Sequence, residues 1–84
     1  IIDPSTLNIY PNPMSNFATV EFDGEIGNNY RFLLYDMSGR MVRNLSDIRS
    51  YSFIIERDNL ESGIYLYRLT NDRGTCAAGE ILVK

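Results

Sequence analysis

No stretch of this chain holds a 3.6-residue apolar stripe for three turns; short period-two runs recur instead between turn-forming clusters. That alternation constrains the fold more than any other feature. It gives each segment one apolar and one polar face, and the apolar face needs a second layer to cover it.

Leu7-Asn8-Ile9-Tyr10 reads as a first strand, stopped by Pro11-Asn12-Pro13. Proline has no amide to give a central ladder, so this strand belongs at a sheet edge or beside a crossing turn. Phe17 to Phe22 follows, with Ala18, Val20 and Phe22 on one face and Thr19 and Glu21 on the other. A turn-rich connection is expected from Asp23 to Asn29. Tyr30 to Asp36 is the clearest strand, with Tyr30, Phe32 and Leu34 inward. Leu33 and Tyr35 imply that its second face is partly covered as well. Met37-Ser38-Gly39-Arg40 turns the chain into Met41 to Leu45, with Gly39 at the positive-φ position, so residues 30–45 read as a hairpin. Tyr51 to Glu56 is the next strand, with Phe53 and Ile55 on one face.

Leu60-Glu61-Ser62-Gly63-Ile64-Tyr65 is the most specific local pattern. In immunoglobulin-like sandwiches a tyrosine at such a corner bonds its hydroxyl back to nearby backbone. Tyr65 has that setting, and Leu60 is expected to plug the core beneath it. Tyr67 and Leu69 continue the inward face to Thr70, Asn71-Asp72-Arg73-Gly74 makes a hairpin turn, and Thr75 to Val83 is the final strand, with Ile81 and Val83 inward. The reading is therefore all-β: a seven-stranded immunoglobulin-like β-sandwich. It spans residues 7–84, with residues 1–6 as a flexible lead. The opening Ile1-Ile2-Asp3-Pro4 reads as a piece of something longer, with any leader upstream.

At 84 residues the chain is one domain. A domain of this size buries only about 60–65% of the surface its unfolded form exposes, so nearly every large apolar residue is needed inside. Eleven acidic against eight basic residues leave a net charge of -3, which argues against a nucleic-acid partner. No run approaches the ~18 apolar residues that a helical membrane span needs. The single cysteine, Cys76, rules out an internal disulfide and a multi-cysteine metal site. In the small-residue run Thr75-Cys76-Ala77-Ala78 it reads as a small hydrophobe. Histidine is absent, which removes Ser/His and Cys/His nucleophile pairs together with imidazole ligands. The carboxylates are spread through turns and outward strand positions. No catalytic residue, metal site or cofactor is expected.

Four blocks then stand in order: residues 7–13, Leu34-Tyr35-Asp36-Met37-Ser38-Gly39-Arg40-Met41-Val42, Leu60-Glu61-Ser62-Gly63-Ile64-Tyr65-Leu66-Tyr67-Arg68, and Gly79-Glu80-Ile81-Leu82-Val83-Lys84. This order and spacing resembles the type A C-terminal sorting domain of the type IX, or Por, secretion system of Bacteroidota. The resemblance covers residues 7–84. It implies a domain appended to secreted cargo, which reaches the periplasm by its own leader. The domain then directs that cargo through an outer-membrane translocon to the cell surface. A surface cysteine protease of the sortase type commonly removes it, and the cargo is often joined to lipopolysaccharide. Pro11, Asn12 and Pro13 match the early block, Gly39 the central turn, Leu60, Gly63 and Tyr65 the corner, and Gly79 to Lys84 the terminal block. Glu61 stands where a proline is frequent, and Glu80 reverses a charge where a basic residue is frequent.

Pro11, Asn12, Pro13, Gly39, Leu60, Gly63 and Tyr65 are expected to serve the fold. Gly79, Glu80, Ile81, Leu82, Val83 and Lys84 are the expected translocon contacts. At a sheet edge, Val83 and Lys84 would offer backbone groups for strand addition, and the same open edge is expected to allow weak homodimers. The alternative class is a passive or carbohydrate-binding sandwich attached to a secreted hydrolase. Such a module would want an exposed aromatic row, for which Tyr10, Tyr35 and Tyr51 are the candidates.

Overall fold

The period-two runs become seven antiparallel strands in the computed structural model, which describes residues 7–23 and 29–84. They are β1 (Asn8–Tyr10), β2 (Phe17–Glu21), β3 (Tyr30–Tyr35), β4 (Met41–Ile48), β5 (Ser52–Glu56), β6 (Gly63–Asn71) and β7 (Gly74–Val83). One sheet has the order β1-β2-β5 and the other β4-β3-β6-β7. The two-layer, all-β architecture is the one the alternation predicts. Residues 1–6 and most of the connection expected over 23–29 lie outside the described residues, as does the side chain of Cys76.

The hairpin read over residues 30–45 is present and continues to Ile48, which is buried. In the constant-type immunoglobulin order the fourth strand joins the sheet of the first, second and fifth. Here β4 stays with β3, pairing Phe32 with Leu45 and Leu33 with Asn44. The short link between the two strands explains this. The Asp36 amide donates to the Arg40 carbonyl at 2.9 Å, and the Gly39 amide donates to the Asp36 carbonyl at 3.0 Å. So tight a turn has no length to cross the ~10 Å between packed sheets.

The interior faces of both sheets meet in a continuous core. Val20, Ile55 and Met14 face Phe32, Leu34, Leu69 and Ile81, all essentially without exposure. Aromatic edges join the layers: the Phe22 ring meets Tyr30 at 5.0 Å, and Phe53 meets Phe32 at 5.2 Å. Each such pair adds about 0.5–1.5 kcal/mol beyond the area it buries.

Candidate functional site

The register of the strands brings the four sequence blocks to one end of the sandwich. β1 ends at Tyr10, β2 begins at Phe17, and β5 ends opposite it at Glu56. On the other sheet Tyr35, where β3 ends, pairs with Leu66, while Gly63 at the start of β6 pairs with Val83 at the end of β7. Three connections close this end: residues 11–16, the turn 36–40 and the corner 57–62.

Residues 11–14 form a strap across the end of β7. Pro11 and Pro13 both follow cis peptide bonds. Between them, the Asn12 side-chain oxygen accepts the Leu82 amide at 2.9 Å. The Met14 amide donates to the Leu82 carbonyl at 2.8 Å, and the Lys84 amide donates to the Met14 carbonyl at 2.9 Å. The Met14 side chain is fully buried in the core. This corrects the expectation of an open edge at Val83 and Lys84. The outward backbone groups there are already bonded within the chain, and the Val83 side chain is buried. The strap is a short parallel bridge rather than a strand, which is why alternation in the sequence gave no sign of it.

Arg57 ties the corner to residues 15 and 16, which follow the strap. Its amide donates to the Asn16 carbonyl at 2.9 Å, and its guanidinium reaches the Leu60 carbonyl at 3.0 Å and the Ser15 carbonyl at 3.3 Å. Arg43 of β4 donates to the Arg57 carbonyl at 2.8 Å and to its neighbour Val42 at 2.7 Å. The Tyr65 hydroxyl donates to the Glu61 carbonyl at 2.7 Å, the bond that the corner pattern predicts, with Leu60 buried beneath. Gly63 has φ +150° and Gly39 φ +91°, conformations that side chains rarely adopt.

A shallow cleft runs between the 36–40 turn and the corner, lined by Asp36, Arg40, Arg43, Asn59, Glu61 and Tyr65. The Asp36 carboxylate accepts the Ser38 hydroxyl at 2.6 Å, the Ser38 and Arg40 amides at 3.0 Å, and Arg40 Nε at 3.1 Å. The Ser38 hydroxyl first, and the Arg40 amide next, hold its pKa below the ordinary aspartate range. An ionised carboxylate with four donors on it anchors a turn and has no proton to give near neutral pH.

The terminal block divides by face. Ile81 and Val83 enter the core, whereas Glu80, Leu82 and Lys84 face solvent. Gly79 faces inward beneath the Tyr67 ring, and a Cβ built there would meet that ring at 2.8 Å. Tyr67 is itself stacked on Phe32 at 5.5 Å, and burial raises its pKa. Sequence reasoning missed Met14, Arg43 and Arg57. A lone methionine between Pro13 and Ser15 was the one local hint that the connection over residues 11–16 sends a side chain into the core.

The three tyrosines considered for an aromatic row face different surroundings. Tyr35 lies under the Arg68 guanidinium at 5.9 Å on the outer face of the β4-β3-β6-β7 sheet. Tyr10 sits on the opposite outer face, where a hydrogen bond to Glu21 raises its pKa. Tyr51 packs edge-on against Phe22 at 6.3 Å.

Residues 8–84 match one protein family, described as a secretion system C-terminal sorting domain. No curated protein matches the chain. The matched span takes in every strand and all three connections of the closed end.

Proposed function

Because the chain belongs to the Por secretion-tail family, the C-terminal sorting domains of the type IX secretion system, we propose that it is the label by which a cargo joined ahead of it crosses the outer membrane. In this reading the closed end docks on the translocon, with Glu80, Leu82 and Lys84 making contact. Gly79, Ile81 and Val83 keep their strand in place. A surface protease of the sortase type then removes the domain, leaving the cargo outside the cell. The observation that carries this reading is the family match over residues 8–84, together with the meeting of its four sequence blocks at one end. Distant parts of a sandwich gathered on one surface suit recognition by a partner. The Asp36 carboxylate and the Arg40, Arg43 and Arg57 guanidinium groups at this end are spent on a turn and on backbone carbonyls.

Fusing residues 1–84 to the C-terminus of an inert periplasmic reporter tests it, in a host that carries this secretion system. Export of the reporter is expected, and mass spectrometry of the exported product should find it shortened by the domain. Retention in the periplasm would overturn the sorting role. Export at full length would overturn the removal step alone.

A further inference from the structure

We infer that the partner reads the terminal strand through its outer face, as an apolar stripe shared by β6 and β7, and not through its backbone edge. This rests on the export reading above. A strand has an inner face, an edge and an outer face, and two of these are already occupied at the end of β7. On the inner face Ile81 and Val83 are buried, and Gly79 is covered by Tyr67. Along the edge, the Leu82 amide and carbonyl and the Lys84 amide are bonded to the strap.

The outer face is left. There Leu82 lies opposite Ile64, and Glu80 lies opposite Leu66, which in turn pairs with Tyr35 of β3. Leu82 is 43% exposed, Leu66 42% and Ile64 39%. The opposite outer face also exposes apolar side chains, Tyr10, Phe17 and Ile54, so what singles out Ile64, Leu66 and Leu82 is their place beside the terminal block, whose inner face and edge are filled. The flanks of this stripe are charged. Arg68 lies over Tyr35 at 5.9 Å, while Glu80 has no ion pair among the described residues. The surface that fits is a protein face with aliphatic or aromatic side chains against the stripe and a basic group opposite Glu80. Desolvation by the apolar contacts would strengthen that charge pair.

Ile64 and Leu66 lie outside the terminal block, so they separate the two modes of reading. The reporter fusion is made with Leu66→Thr, Ile64→Thr, Leu82→Thr and Glu80→Arg. Threonine suits an exposed strand position. Ile54→Thr, at an exposed site on the opposite outer face, serves as control. Ala78→Pro removes an amide from the remaining open edge of β7. Thermal melts of the purified variants establish that each is folded. Losing one buried aliphatic contact should lower the exported fraction about tenfold for Leu66→Thr and Leu82→Thr. Ile54→Thr and Ala78→Pro should export like the wild type.

If Leu66→Thr is exported normally while Ala78→Pro is trapped, the partner adds a strand and the inference is overturned. Normal export of every variant overturns it too. A wild-type dimer in sedimentation that Leu66→Thr dissolves would assign the stripe to a second copy instead. A wild-type reporter that stays periplasmic defeats the export reading itself, and this assignment with it.

Discussion

The side-chain oxygen of Asn12 accepts the amide of Leu82 at 2.9 Å, joining residues seventy positions apart in sequence. With the two backbone bonds of Met14, it makes the last residues of β7 part of a closed structure instead of a free edge. Asn12→Ala leaves the Leu82 amide without that partner. The expected loss is about 1 kcal/mol, seen as a lower denaturant midpoint. Hydrogen exchange at the Leu82 amide should quicken about fivefold, which is what 1 kcal/mol corresponds to.

Met14 anchors the strap by its side chain, which has no exposure at all. Met14→Ala should cost about 2–5 kcal/mol, since it deletes buried methylenes and leaves a cavity between the sheets. Met14→Leu, which conserves volume, should cost less than about 1.5 kcal/mol. Chemical denaturation of the two variants checks the contrast; equal losses would mean the site does not act as a packed plug.

Gly79 is required by one neighbour. Its Cβ would meet the Tyr67 ring at 2.8 Å, and that ring is stacked on Phe32. Gly79→Ala should therefore destabilise by about 1–3 kcal/mol in the native background. In a Tyr67→Leu background the same change should become neutral or stabilising by about 0.5–1 kcal/mol, because alanine is better than glycine inside a strand. A double-mutant cycle measures this coupling.

Tyr65→Phe keeps the buried ring and removes only the hydroxyl that donates to the Glu61 carbonyl. The cost should be about 1–2 kcal/mol. For a domain this size that lowers the melting temperature by roughly 4–8 °C per kcal/mol, which calorimetry resolves.

Asp36 supplies a pH-dependent element in the 36–40 turn. Its pKa is lowered, first by the Ser38 hydroxyl and then by the Arg40 amide, so the fold favours the charged form. The stabilisation is therefore present above the ordinary aspartate pKa and is lost as pH falls through the lowered one. A carboxyl titration by NMR should place Asp36 below the ordinary aspartate value. Ser38→Ala should move it back upward, and the Ser38 and Arg40 amide shifts in the native chain should change at the same pH as the carboxyl.

Alternation at residues 17–22 and 30–36, proline at 11 and 13, glycine at 39, 63 and 74, and tyrosine at 65 determined the strands and turns of this protein without reference to the rest of the chain. Each rests on physics that acts over a few residues: side-chain direction, a missing amide, an allowed φ, a hydroxyl reaching its own corner. The four blocks of the closed end were legible as blocks for the same reason. Their meeting was not. Only the tertiary structure set Asn12 against Leu82, put Met14 into the core and fitted Gly79 beneath Tyr67. Those relationships depend on the register of strands far apart in sequence and on how two sheets share one core. No local pattern carries that information, because a residue's neighbours across a sheet are chosen by the whole fold.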